Sequence, residues 1–482
     1  LLCASYKLFG IGLLSSRLPF LVAGCGVLWL TWRLGRELFG SVEGALLGAI
    51  VMAANVQTMT IATRSTPDMF LCLFVSVSLC GFAPLLLGKS DSWRSYAMAY
   101  LGAGLACATK GLWGAIPVLF AGVLWALQCR RSIPLNRLAP AGWVLAGVLV
   151  GGGWFMYAAV KHGSGTLGAF FRDQTAATAT PAKWFLISNV ADYAAATLRH
   201  FLPFSLLLAA AWFAARPQVK EFFRRNRLAL WFVLGWYVLV FGIFSFGFMR
   251  RTRYLLPTYP GLAVMIGALL VVLMQHAKAE EWVRRLSVAI LAVGIVFGLG
   301  MAVMGLRLDW RLALAGGIVA GSAGGVVAWM RNCDALSSMA GLGAWVIVVA
   351  PLVTGFARPV FTPNYAADLT RELSAQTAPG QAIVALGVRA ELVSQIRLLS
   401  AGRLEPKAYA TEAWPAGIPG GAVCVVAEDG RERLAAAGYR LTLAGYRAKG
   451  VRASDVWRAW RSGQREELFS RKQQNFYVAT PP

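Results

Sequence analysis

The chain has 482 residues, of which 57% are hydrophobic and only 14% charged, against about 25% charged in soluble domains. With a mean hydropathy of +0.59, that composition excludes a soluble globular enzyme and a disordered chain. A net charge of +24 would suit a nucleic-acid binder, but the cations lie between long apolar runs. The expectation is a polytopic membrane protein with no nucleic-acid partner.

A helix crossing the apolar core of a bilayer needs roughly 20 residues. Twelve candidate runs follow one another at 17–38, 41–63, 67–88, 94–109, 111–128, 141–161, 200–216, 228–249, 254–276, 286–306, 310–330 and 339–357. Only Lys110 and Gly111 separate the fourth from the fifth. Residues 1–357 therefore read as a transmembrane domain. From 358 the texture changes: strands are predicted at 382–387, 422–428 and 440–444, with helices through 399 and over 431–437. Residues 358–482 thus form a small soluble α/β domain. The fold class expected is an α-helical polytopic membrane protein with about twelve spans and a C-terminal α/β domain.

Eight cysteines are scattered without a Cys-x-x-Cys pair, and there are three histidines. Neither a disulfide framework nor a metal site is expected. The chain begins at Leu1 with no charged stretch ahead of an apolar core, so it shows no signal peptide and reads as lacking an N-terminal piece.

Orientation follows from Lys and Arg. With residues 1–16 outside, the inside loops carry sixteen cations and the outside segments before the tail thirteen. Twelve crossings then return the soluble domain to the outside. The thirteen outside cations face only four acids, Asp68, Asp173, Asp192 and Asp309. A cationic outer mouth calls for an anionic ligand, and phosphate is the obvious class.

Three local patterns carry that idea. Arg64-Ser-Thr-Pro-Asp68 opens an external helix, where Asp68 either favours the helix dipole, acts on a substrate hydroxyl or holds a partner cation. Lys110 is pinned between two apolar segments. Arg250-Arg251-Thr252-Arg253-Tyr254 places three arginines outside, against the positive-inside trend, and guanidinium forks match phosphate oxygens. The long external segment Lys161–Arg199 mixes aromatic and basic residues, which suits a lipid interface or a polyprenyl phosphate. His162 and His200 flank it and read as structural.

The ordered stretches Lys7–Gly10, Ser16–Pro19, Arg33–Phe39, Thr66–Met69, Thr109–Gly111, Leu202–Ser205 and Arg250–Pro260 resemble the bacterial polyprenyl-phosphate-dependent glycosyltransferases of the GT-C fold. The aminoarabinose lipid A transferases and protein O-mannosyltransferases are most similar. The resemblance implies inverting transfer of a hexosyl or pentosyl group from a polyprenyl-phosphate sugar to a lipid, protein or glycan. It places the chain in the bacterial inner membrane, working at its outer face, with a periplasmic C-terminal domain. It assigns Asp68 as a catalytic residue and Lys110, Arg250, Arg253 and Tyr254 to the donor phosphate, to which Arg64, four residues before Asp68, is added. No cofactor is required and no nucleotide-binding glycine loop is present.

Two departures stand out. The family's first helix and first external loop, which carries the expected main base, would precede Leu1. The histidine usual in the long external loop is not recognisable between Thr175 and Lys183. The alternatives are an anionic-lipid transporter or flippase, and an inactive scaffold on the same fold. A transporter would place paired charges in mid-span and show inverted repeats. The predicted spans carry their charges near the ends, and no repeat is visible.

Overall fold

A computed structural model describes residues 1–163, 165, 167–168, 170, 172, 183–246, 251–362, 364–409, 419–448, 451–469 and 472–482. Its contacts divide it into two compact units. One comprises Phe20–Val293 and Ala323–Val348; the other comprises Leu1–Pro19, Gly294–Ser322 and Val349–Pro482.

Among the described residues, nine helical stretches are long and apolar enough to cross a membrane, and two bent pairs raise that to as many as eleven. The first bent pair, Val42–Ala53 and Val56–Ala62, occupies the predicted span 41–63 with a 63° bend. Asn55 causes the break: its side chain accepts from the Gln57 and Thr58 amides at 3.0 and 3.1 Å and starts a new helix. The second pair joins Leu186–His200 to Phe204–Ala214 at 90°, where the sequence suggests one span over 200–216 and an irregular segment before it. The buried stripe of the upstream helix is Asn189, Tyr193, Ala196 and His200. Its helical period is masked because three of the four are polar types.

The apolar stretch Trp93–Cys129 holds the fourth and fifth predicted spans. It turns at Lys110–Gly111, because Gly114 packs directly against the backbone of Ala106 and Cys107. In a continuous helix, residues seven apart lie about 10 Å from each other. The chain therefore turns sharply at the break, through the short 3₁₀ segment Gly111–Ala115.

Helix Asp68–Leu86 packs closely along Trp93–Lys110. A side chain at Gly81 would collide with the Ala99 nitrogen, and one at Gly102 with the Ser78 nitrogen. Small residues permit this approach, and the Ser78 hydroxyl donates across it to the Ala99 carbonyl at 2.7 Å. The antiparallel register that sets Gly81 against Ala99 and Ser78 against Gly102 brings Asp68 opposite Lys110.

The other unit contains a five-stranded mixed sheet of order β2-β1-β3-β5-β4: β1 Ile383–Leu386, β2 Lys407–Tyr409, β3 Val423–Ala427, β4 Arg440–Ala448 and β5 Lys472–Thr480. β1 pairs in parallel with β2 and β3, while β5 lies antiparallel to β3 and β4. Val423, Val425 and Ala427 face one apolar layer, and Cys424 and Val426 the other. Burial on both faces explains the uninterrupted apolar run that marks this strand in the sequence. β2 and β5 escape the sequence reading: β2 is a three-residue edge, and β5 begins with Lys-Gln-Gln-Asn. In the same unit, Leu308 and Leu312 cluster with Ala357, Val360, Ala459 and Phe469. Arg465 pairs with Asp309 at 3.3 Å and donates to the Pro359 carbonyl at 2.7 Å.

Candidate functional site

Three elements of the helical unit meet at Asp68. The first turn of Asp68–Leu86 supplies the carboxylate, the last residue of Trp93–Lys110 an ammonium, and the short 3₁₀ turn Thr252–Thr258 a guanidinium and a phenol. The turn is held from two sides and from within. Trp236 Nε1 donates to the Pro257 carbonyl at 3.1 Å, the Cys72 thiol to that of Leu256 at 3.6 Å, and the Thr258 hydroxyl to that of Leu255 at 2.7 Å. Leu255 and Leu256 are fully buried beneath it. Behind the turn, the Tyr259 hydroxyl bonds to His200 Nδ1 at 2.8 Å.

Asp68 is ion-paired on both oxygens. Lys110 Nζ donates to Oδ1, and Arg253 Nε lies 3.4 Å from Oδ2. The carboxylate side chain is 4% exposed, that of Lys110 22% and that of Arg253 28%. Arg253 Nε is within ion-pair reach but off the line of a hydrogen bond; it is a buried donor with no hydrogen-bond partner among the described residues. Lys110 Nζ also sits 4.6 Å above the Tyr254 ring. That ring packs on Phe244 at 4.9 Å, and Phe244 on Trp113 at 4.8 Å, forming an aromatic wall. Two cations against one carboxylate leave a positive excess at the end of three helical elements.

Of the residues singled out by sequence, Asp68, Lys110, Arg253 and Tyr254 come together. Arg64 is exposed four residues before Asp68, without an ion pair to it, and Arg251 is exposed beside the turn. Arg250 lies outside the described residues. Sequence reasoning missed the aromatic wall, because Trp113 and Phe244 look like ordinary span residues.

Gly111 fixes the lysine. Its φ of +67° lies in the region that favours glycine, and a side chain there would strike the Phe170 ring at 2.7 Å. Beside Gly111 opens an apolar cavity of about 460 Å³, lined by Cys107, Leu112, Val144, Gly151, Phe155 and Phe170 among others. A charged cluster and an apolar cavity thus share the turn at Lys110–Gly111.

The architecture matches ArnT from Cupriavidus metallidurans bound to undecaprenyl phosphate, with a TM-score of 0.68 at 18% identity, over 99% of this chain and 86% of that one. The chain has the ArnT fold. It is a GT-C type polytopic helical protein with a small C-terminal sheet domain. The apo form of the same ArnT matches with a TM-score of 0.67 at 19% identity, over the same shares of the two chains. Residues 1–154 match the family model of dolichyl-phosphate-mannose-protein mannosyltransferase. The undecaprenyl phosphate-alpha-4-amino-4-deoxy-L-arabinose arabinosyl transferase of Aeromonas hydrophila is 24% identical over 344 residues, 66% of this chain and 58% of the relative. Its counterpart in Edwardsiella ictaluri is 24% identical over 276 residues, 54% and 46% of the two chains. An uncharacterized protein of Aquifex aeolicus is 27% identical over 314 residues, 64% and 57%. The chain spans about half the length of these curated relatives.

Proposed function

We propose that the protein is an integral membrane glycosyltransferase that takes a sugar from a polyprenyl-phosphate carrier at the outer face of the bacterial inner membrane. The observation that carries this reading is the Asp68–Lys110–Arg253 cluster beside an apolar cavity. Transfer of the sugar leaves a polyprenyl phosphate carrying an extra negative charge. Fixed cations at the leaving oxygen stabilise that charge as it develops, a large catalytic term. Lys110 and Arg253 are placed for this, and the cavity beside Gly111 suits the prenyl chain. Arg64, Arg250 and Tyr254 complete the phosphate surround in this proposal. The relatives named for undecaprenyl-phosphate sugar transfer and the ArnT bound to undecaprenyl phosphate support the carrier class.

Asp68 takes the role of a holder of cations. With both oxygens engaged and the side chain buried, it orients Lys110 and Arg253 rather than taking a proton from the acceptor. Location of the charges at helix ends favours transfer over the transport of a charged lipid, which would need them in mid-span. The acceptor is a lipid, protein or glycan of the envelope, the transfer inverts the anomeric centre, and the sheet domain faces the periplasm.

The test is mass spectrometry of envelope lipids and glycoproteins from cells with the gene, without it, and with the gene carrying Lys110→Met. A sugar adduct present only with the unaltered gene is expected. Identical profiles in all three would overturn the reading.

A further inference from the structure

The unit that holds the sheet also holds the meeting point of two spans. Residues 286–306 and 312–330 contain no Asp, Glu, Lys or Arg. The first of these runs makes roughly 30 Å of helix, the apolar thickness of a bilayer. Arg307, Asp309 and Arg311, between the runs, therefore mark the level at which the chain leaves the hydrocarbon. Val296, Leu299, Val303 and Leu306 recur at helical spacing and are all exposed, so they form the lipid-facing stripe of helix Ala277–Leu308. Arg307 follows Val303 by four residues and stands at the end of that stripe.

Helix Ala453–Ser462 is docked at this level. Ala459 is buried in one cluster with Leu308, Leu312 and Val360, and Val456 and Trp460 pack against it. The Arg307 guanidinium lies 4.9 Å from the centre of the Trp460 ring. Trp457 stacks on Trp460 with ring centres 5.2 Å apart. The helix is also fixed at its start, where the buried Asp455 accepts from the Arg452 amide at 2.9 Å and pairs with Arg458 at 2.6 Å. Trp457 is nevertheless 60% exposed, and Arg461, four residues on, is exposed on the same flank. Trp310, which opens the next span, is exposed at the same level. Tryptophan collects where hydrocarbon gives way to headgroups, because its ring is apolar and its N–H is not.

We propose that the Trp457 flank of helix Ala453–Ser462 is a membrane-contact surface, seated in the phospholipid headgroup layer. The Trp457 ring lies over the lipid that coats Val303 and Leu306, and Arg307 and Arg461 reach lipid phosphates. The bilayer is the occupant that this position calls for, because the flank continues the lipid-facing stripe beyond its last apolar residue. The contact fastens the C-terminal segment to the membrane and does not depend on the transferase reading.

The full chain, in phosphatidylcholine nanodiscs, carries the fluorescent amino acid Anap in place of Trp457, Val303 or Glu432, one position at a time. Glu432 is exposed on the short helix Arg431–Ala436, whose Leu434 packs on the sheet layer opposite to the one that helix Tyr365–Gln376 covers. Quenching is read with phosphatidylcholine bearing a nitroxide near its glycerol and, separately, with aqueous iodide. The probe at 457 should be quenched by the lipid nearly as strongly as the probe at 303, and by iodide several-fold less than the probe at 432. If the protein labelled at 457 does not fold, a probe in place of Arg461 reads the same flank. Iodide quenching at 457 equal to that at 432 would place the flank in water. Protection from both quenchers would mean that another protein chain covers it, and lipid quenching at 432 equal to that at 457 would mean that the contact is not a property of this helix. Each of these three results would overturn the proposal.

Discussion

The two ends of the helical unit use the same residue types to opposite effect. At one end Asp91 pairs with Arg137, and Glu37 with Lys89 at 3.8 Å, one carboxylate to one cation, with side chains 31–48% exposed. At the other, Asp68 is 4% exposed and answers two cations. The first pairs cancel in water and contribute little. The second costs desolvation of three charges and leaves one unbalanced. A stable fold needs only the first kind; an anion site needs the second.

The comparison can be broken first by deletion of the carboxylates. Asp68→Ala leaves two partly buried cations without a counter-charge and should cost about 3–5 kcal/mol of stability. Asp91→Ala should cost no more than about 1 kcal/mol. Unfolding in detergent, followed by tryptophan fluorescence, reads both; equal losses would mean that burial of Asp68 has no energetic consequence.

The cations come next. Lys110→Met should lower sugar transfer by about 10²-fold, as removal of a fixed transition-state donor does, with the solubilised yield unchanged. Lys89→Met, at the opposite end, should leave transfer as it is. A shared modest loss would make both lysines membrane-facing charges.

The smallest effect sharpens the exposed side of the comparison. In the sheet unit, hydrogen bonds from Asn475 and Tyr477, with Arg431 nearby, hold the Glu428 carboxyl below its usual range. A depressed folded value stabilises the fold above the ordinary glutamate range and loses that contribution as pH falls through the folded value. The side chain is 43% exposed, so the contribution should stay under about 1 kcal/mol. Glu428→Gln should flatten the acid limb of stability against pH by that amount, and an unchanged limb would show that these bonds do not survive in solution.

Much of this was legible in the chain. Apolar runs near 20 residues gave the spans, and the turn at Lys110–Gly111 was visible as a charge and a glycine between two runs. Asp68, Lys110, Arg253 and Tyr254 could be singled out because cations on the side expected to be outer oppose the usual trend. Their convergence could not, since it depends on the register set by Gly81 and Gly102, and a glycine in a membrane helix does not name its partner. The helix Lys183–His200 was hidden by polar residues on its buried face, where Asn189 donates to the Ser245 carbonyl at 3.0 Å. The sheet's fifth strand was hidden by its polar start.

Affinity for undecaprenyl phosphate tests the central claim most directly. It is measured on the detergent-solubilised full chain, unaltered and as Arg253→Ala and Arg137→Ala. A charge-assisted hydrogen bond to the phosphate is worth about 1.5–3 kcal/mol. Arg253→Ala should therefore weaken binding by roughly one to two decades, while Arg137→Ala binds as the unaltered chain does. Equal affinities in all three proteins would contradict the assignment of the Asp68 end as the phosphate site.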